Sequence, residues 1–287
     1  MKKEDWKYLA GLLLFGSNGM IASHIALSSD QIVFLRSVLG SALLVVLFLA
    51  TGRRFAALAH KRDLLYLAAS GVAMAANWLF LFAAYQQIGV SLSILINYCG
   101  PAIAVFLSIV LFRDRLTARK AIALFSALLG AVLINGFAAK SEIHAAGLLC
   151  AILSAFSYAA LILLNKCSKE IVGTENAVLQ LLFTAFSVTV YMVCRGAWKM
   201  AIPAGSWPWI LWLALLNTGI GCYLYFSSIS SLPVQTVAVC GYLEPLFAVV
   251  LSVLFLRETL RPLQIVGAAL ILGGAVFGEY RRRGKAS

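Results

Sequence analysis

Charged residues are scarce in this chain of 287 residues. Asp, Glu, Lys and Arg make up 12% of the sequence, and apolar residues make up 62%, whereas soluble domains carry about 25% charged residues. Apolar runs of about 20 residues recur from end to end, and each can cross a bilayer of ~30 Å as a helix. The composition excludes a soluble domain and predicts an all-α, multi-pass integral membrane protein.

Groups that carry catalytic or metal chemistry are also few. The three histidines and eleven acidic residues are scattered, and no HExxH motif or glycine-rich phosphate loop occurs. The six cysteines form no CxxC pair or Cys/His cluster, and they suit small core positions instead. We expect no metal site, no cofactor, no disulfide framework and no ATP-driven motor here, and we do not expect an enzyme.

The apolar runs divide into ten predicted spans separated by short polar turns. In chain order, spans 1 to 10 are predicted at Tyr8–Leu27, Gln31–Ala50, Leu64–Gln86, Ser91–Phe112, Ala118–Phe137, Ala145–Asn165, Asn176–Cys194, Trp207–Ile229, Gln235–Leu256 and Pro262–Phe277.

The second half of the sequence repeats the first. Pro101 in span 4 aligns without a gap on Pro245 in span 9, and the tyrosine three residues before each proline aligns as well. Each half, residues 1–139 and residues 145–282, then carries five spans. Because five is odd, the second copy must be inverted in the membrane, an arrangement typical of secondary transporters with a site between the halves.

The distribution of basic residues predicts the orientation. In a soluble protein, the net charge of +12 would suggest binding to nucleic acid. Here most of the 23 Lys and Arg fall at the termini and in those turns that lie on the same side of the membrane as the N-terminus. By the positive-inside rule, both termini are cytoplasmic. The segment Met1–Lys7 with the following apolar run resembles a signal peptide. That run is longer than usual, however, and the repeat requires it as span 1.

Three stretches resemble the EamA family of the drug/metabolite transporter superfamily. They are LEPLFA at Leu243–Ala248, LRETL at Leu256–Leu260 and QIVGAALILGG at Gln264–Gly274. The first half departs from the pattern, since Asp114 stands where glutamate is usual. The resemblance implies ten helices, a central cavity lined by spans 1, 3, 4, 6, 8 and 9, and kinship to exporters of amino acids and other metabolites. Spans 5 and 10 look like the helix through which four-helix small multidrug transporters dimerise, so they would pair internally.

Glu244 is the one acidic residue predicted deep inside a span. An intramembrane acid is costly and favours a functional hypothesis; it would bind a substrate amine or carry a proton. Its alternative role is structural: it would hydrogen-bond to backbone groups that lose their helical partners because of Pro245. Pro101 and Pro245 should kink spans 4 and 9 and are predicted hinges.

Polar and aromatic residues inside the spans suit a cavity for a small amphipathic solute. Each has a packing role as its alternative. With Glu244, the predicted cavity residues are Asn18, Asn77, Trp78, Asn97, Tyr98, Tyr158, Tyr223 and Tyr242.

Two further features have ordinary explanations. Arg36, near the outer end of span 2, is predicted to extend to the membrane interface, with pairing to an anionic substrate group or to an acidic residue of the cavity as the alternative. Gly130 in span 5 and Gly273, Gly274 and Gly278 in span 10 are predicted to allow close helix packing.

The sequence thus predicts a secondary transporter of the bacterial inner membrane, functional as a monomer, with a small-molecule substrate and the lipid bilayer as partners and no nucleic acid. Export of an amino acid or similar solute is favoured. A metabolite importer or multidrug exporter is the alternative within transport. An integral-membrane enzyme or a scaffold is disfavoured, since Glu244 has no catalytic partner.

Overall fold

A computed structural model of the chain describes residues 3–52, 55, 57–113, 116–135, 144–197, 200–256 and 262–279. These residues form helices joined by turns and short irregular segments, with no strand among them. The α-helices α1 to α14 are Lys3–Gly16, Asn18–Ala22, Ser29–Ala50, Lys61–Ile88, Val90–Asn97, Cys99–Leu111, Ala118–Asn135, Ala145–Cys167, Gly173–Arg195, Trp207–Leu211, Gly221–Ile229, Val234–Gly241, Leu243–Leu256 and Pro262–Glu279. A π-helical segment, Trp212–Ile220, joins α10 to α11, and 3₁₀ turns occupy Ala57–Ala59 and Ala204–Ser206.

The distribution of polar side chains is the reverse of that in a soluble protein. Large apolar side chains are exposed around the bundle, for example Val110 (78%) and Phe186 (68%). Meanwhile Asn165, Asn176 and Gln180 are fully buried and hydrogen-bonded to one another at 3.0 and 3.2 Å. An apolar exterior around a satisfied polar interior is what a lipid environment requires. The chain is therefore a multi-pass membrane protein.

Seven helical stretches among the described residues are long and apolar enough to cross a membrane. They correspond to predicted spans 2, 3, 4, 6, 7, 8 and 9, with ends that differ by a few residues. Predicted spans 1, 5 and 10 correspond to α1 with α2, to α7 and to α14. The first is broken at Ser17, and the other two are 18 residues each.

Predicted spans 4 and 9 are both interrupted just before their prolines. The breaks fall at Tyr98 and Tyr242, the residues between α5 and α6 and between α12 and α13. Because proline has no N–H, the carbonyl four residues earlier loses its helical donor. The hydroxyl of Tyr242 donates to the Tyr98 carbonyl at 2.7 Å, so one break is bonded directly to the other.

Two spans are less regular than the sequence predicts. Span 1 is not continuous to Leu27, because it breaks at Ser17 and α2 ends at Ala22. The Leu14 carbonyl freed by this break accepts hydrogen bonds from the Ser17 hydroxyl (2.7 Å) and from Asn217 Nδ2 (2.8 Å). Span 8 contains the π-helical segment, which the sequence did not reveal.

Helices α7 and α14 pack antiparallel through small residues. The Ser126 hydroxyl donates to the Leu270 carbonyl at 2.9 Å, 144 residues away. A Cβ placed on Gly267 would lie 2.6 Å from the Gly130 carbonyl oxygen, and one on Gly274 would lie 2.9 Å from that of Ala123. Gly273 has open space, so its predicted packing role is wrong. Gly278 lies in α14, but its surroundings are outside the described residues.

One end of the bundle, named here the Lys166 end, is tied by polar contacts. Lys166 Nζ donates to the Ser230 and Leu232 carbonyls of the α11–α12 turn, both at 2.7 Å. The Asp63 carboxylate at the start of α4 accepts from the backbone N–H groups of Lys169 and Glu170, also at 2.7 Å. These contacts join α4, α8 and α11 through their ends. The predicted charged turns at 114–115 and 257–261 lie outside the described residues.

Candidate functional site

A cavity of about 630 Å³ lies between the two halves of the chain. Its walls come from α1, α2, α3, α4 and α5 of the first half and from α8, α11 and α13 of the second. Ser23, which is exposed, lines one end, so the cavity reaches the surface there. Its deeper wall includes Met74 and Leu161 near mid-helix, and none of its lining residues belongs to the Lys166 end.

The cavity brings together seven of the nine predicted cavity residues. They are Asn18, Asn77, Trp78, Asn97, Tyr98, Tyr158 and Glu244.

The other two predicted residues lie elsewhere. Tyr242 is fully buried, and its hydroxyl is used on the Tyr98 carbonyl. Tyr223 is half-buried and packs against the main apolar core. Tyr225, two residues further along α11, lines the cavity in its place. The predicted hinge residues Pro101 and Pro245 are buried and do not line the cavity.

An asparagine pair organises the middle of the cavity. Asn77 Nδ2 donates to Asn97 Oδ1 at 2.7 Å and to the Ser154 carbonyl at 2.9 Å, and the Ser154 hydroxyl also donates to Asn97 Oδ1 at 3.2 Å. These bonds link α4, the broken helix α5 and α8. Since buried amides must be satisfied, the network fixes where α5 ends relative to the cavity.

The break in the first span is held by the second half. Asn217 of the π-helical segment donates to the Ser17 hydroxyl at 2.7 Å and to Asn18 Oδ1 at 3.1 Å. This side chain positions Asn18 at the cavity wall. Asn217 was missed in the sequence because its partners lie about 200 residues away.

Aromatic side chains form much of the remaining wall. Phe15, Phe82, Tyr85 and Tyr225 all line the cavity, and the rings of Phe15 and Tyr225 are 5.6 Å apart. A sequence signal for Tyr85 existed, because residues at positions i, i+4 and i+8 share one helix face and Tyr85 follows Asn77 by eight. The buried Tyr225 hydroxyl has no hydrogen-bond partner among the described residues.

Two charged side chains of the described residues line this cavity. Glu244 is partly buried on the first turn of α13, and its carboxylate makes no hydrogen bond or ion pair with the residues that the structure describes. Arg36 is 6% exposed, which corrects the prediction that it extends to the membrane interface. Its guanidinium carbon lies 4.5 Å from the centre of the Trp78 ring. Within the described part of the chain, no group of three metal-ligating side chains occurs.

Comparisons with known proteins agree with this architecture. A sequence model described as the EamA-like transporter family matches residues 4–136 and again residues 145–278. The chain is 27% identical to the uncharacterized transporter YxxF of Bacillus subtilis over 98% of its own length and 91% of that protein. It is 24% identical to Protein PecM of Dickeya dadantii over 68% of the present chain and 66% of PecM. A solved crystal structure superposes with a TM-score of 0.82, covering 96% of this chain and 98% of the other; at 18% identity the likeness concerns the fold.

Proposed function

Because this chain belongs to the EamA-like transporter family, we propose that it is a secondary transporter that moves a small amphipathic metabolite across a bacterial inner membrane by alternating access. The observation that carries the proposal is the cavity between the halves, which reaches the surface at the Ser23 end while polar contacts tie the Lys166 end. Its volume of about 630 Å³ falls in the range of small-molecule sites.

The proposed architecture is ten spans in two inverted five-helix repeats, residues 1–139 and 145–282. The contacts between α7 and α14 support it. Shifting each residue number by the 144-residue repeat exchanges the Gly274–Ala123 contact with the Gly130–Gly267 contact. The Ser126–Leu270 bond joins two equivalent positions of the repeat. Antiparallel helices related in this way have a two-fold axis between them, perpendicular to both, as an inverted repeat requires.

The proposed orientation places both termini and the Lys166 end in the cytoplasm. Lys61, Arg62, Lys166 and Lys169 all lie at that end, in keeping with the positive-inside rule. The cavity then opens outward, and the conformation described is outward-facing. Inward opening would require the Lys166 contacts to separate, with the breaks beside Pro101 and Pro245 as hinges.

The proposed substrate is an amino acid or similar solute, and the proposed direction is export. Aromatic walls, the asparagine pair and Glu244 provide apolar surface together with a few hydrogen-bonding groups. Export rests on the resemblance to exporters of amino acids.

A proteoliposome assay tests the proposal. Purified protein is reconstituted with labelled amino acids trapped inside, and their release is compared with that from protein-free liposomes. We expect unchanged solute to leave faster through the protein for at least one class of amino acid. If the protein accelerates no solute, or if a covalently altered product forms, the proposed function is wrong.

A further inference from the structure

Arg36 is a buried cation that makes no direct ion pair with the residues that the structure describes; the Glu244 carboxylate, which lines the same cavity, attracts it from a greater distance. It lies on α3 with 6% of its surface exposed. Its one hydrogen bond to those residues uses Nε, which donates to Thr218 Oγ1 at 2.9 Å. The two terminal amino groups make none. Since Arg36 lines the cavity, these N–H donors are left to whatever occupies it, and a buried charge requires such a partner.

Two neighbours fix the direction of this guanidinium. The Trp78 ring lies beneath it at 4.5 Å, a favourable cation–π arrangement. The Thr218 hydroxyl donates its own hydrogen to the Leu213 carbonyl at 2.8 Å, so toward Arg36 its oxygen must accept. The bond to Leu213, five residues earlier, follows the π-helical spacing, and π-helical turns frequently occur at functional sites.

Close backbone packing holds Thr218 at this distance. A Cβ on Gly40 of α3 would lie 2.9 Å from the Ala214 carbonyl oxygen and 3.0 Å from Thr218 Cγ2. A Cβ on Gly219 would lie 2.9 Å from the Leu43 side chain. The absence of side chains at both glycines lets α3 and the π-helical segment approach, so the guanidinium is fixed before any solute arrives. Such preorganisation strengthens binding.

We propose that Arg36 binds the carboxylate of the transported solute, with Thr218 as its positioning residue. The inference rests on the proposed function and deepens it: the substrate class is small monocarboxylates, zwitterions included, and not cationic amphiphiles. A guanidinium end offers two parallel N–H donors that match the two oxygens of a carboxylate. Glu244 also faces the cavity and would repel a dianion such as a phosphate ester, while it would accept a hydrogen bond from an ammonium group on the same solute.

Matched probes that differ in one charged group test the proposal. Thermal unfolding of the full chain in detergent is followed with 3-phenylpropionate, L-phenylalanine, phenethylamine and phenyl phosphate, since a ligand stabilises the state that binds it. We expect both carboxylates to raise the melting temperature and the amine and the phosphate ester to leave it unchanged. Arg36→Gln should weaken carboxylate binding about 10- to 100-fold, the range for a lost charged hydrogen bond.

Control variants separate recognition from folding. Arg195 is exposed, and its guanidinium carbon lies 5.8 Å from the Tyr191 ring centre, so Arg195→Gln removes a similar cation–π pair outside the cavity. It should bind the carboxylates as the unaltered protein does. Arg36→Lys keeps the positive charge but loses the two parallel N–H donors of the guanidinium. This variant should fold and should bind the carboxylates only weakly. Thr218→Val should weaken carboxylate binding, and Thr218→Ser, which retains the hydroxyl, should restore it.

Three results would overturn the proposal. The first is carboxylate binding that survives Arg36→Gln, the second is stabilisation by phenethylamine or phenyl phosphate, and the third is no stabilisation by either carboxylate. These outcomes differ from failure of transport. Flux of a cationic solute would refute the carboxylate site and leave the transporter standing. Carboxylate binding that depends on Arg36, without any flux, would support the carboxylate site and refute the transport function.

Discussion

The contact between α7 and α14 allows a quantitative test of the packing between the two halves. A Cβ added to Gly130 would lie 2.5 Å from the Gly267 carbonyl oxygen, 2.7 Å from Ile271 Cγ1 and 3.1 Å from Ile271 N. Two of these atoms belong to the backbone and cannot rotate away, so Gly130→Ala must push the helices apart. Overpacking of this kind costs about 1–3 kcal/mol.

A matched variant isolates the steric term. Gly273 lies in α14, and a Cβ added there would have no atom within 4 Å, so Gly273→Ala adds the same methyl group to open space. In a helix, Ala is favoured over Gly by about 0.5–1 kcal/mol, and this gain applies to both variants. We therefore expect Gly273→Ala to be neutral or slightly stabilised, and Gly130→Ala to lie about 1–3 kcal/mol below it.

Thermal unfolding in detergent measures the difference. For a chain of this size, about 1–3 kcal/mol corresponds to a melting temperature lower by roughly 2–10 °C. If Gly130→Ala proves as stable as Gly273→Ala, the reasoning fails, because the helices would then not be held at the distance that the structure shows.

Three further predictions concern coupling, closure and orientation. If Glu244 carries coupled protons, Glu244→Gln should abolish pH-driven flux in proteoliposomes while passive exchange continues; an unchanged pH dependence would refute proton coupling through Glu244. Lys166→Met removes two 2.7 Å bonds to carbonyls and should lower the free energy of unfolding by about 1.5–3 kcal/mol, whereas Lys169→Met, at an exposed side chain, should match the unaltered protein. Reporter fusions at Met1 and Ser287 should both report cytoplasm, and opposite signals would refute the ten-span arrangement.

Much of the helical framework could be predicted from the sequence because it depends on local chemistry. Long apolar runs separated by polar turns specify helices in lipid, and a proline inside such a run leaves the carbonyl four residues earlier without its helical donor. The breaks beside Pro101 and Pro245 therefore occur where the sequence places them. The family resemblance also predicted that spans 5 and 10 pair with each other, and in the structure the equivalent residues Ser126 and Leu270 of α7 and α14 are hydrogen-bonded.

Which side chains point into the cavity and which point to lipid could not be predicted in the same way. In a soluble protein, the apolar face of a helix points inward, but in a membrane the lipid-facing surface is as apolar as the core. Pattern alone then cannot choose which tyrosine of α11 enters the cavity, and the structure selects Tyr225 over Tyr223. For the same reason, Arg36 was expected at the interface and is instead buried against Trp78.

The sequence by itself determined that this is a multi-pass helical membrane protein with an internal repeat and two proline-broken helices, because composition and backbone chemistry act over a few residues. Only the tertiary structure decided which polar groups share the cavity and what holds them. The contacts that do so, such as Asn217 with Leu14 and Thr218 with Arg36, join residues about 200 positions apart, and their geometry depends on how each helix is rotated against its neighbours.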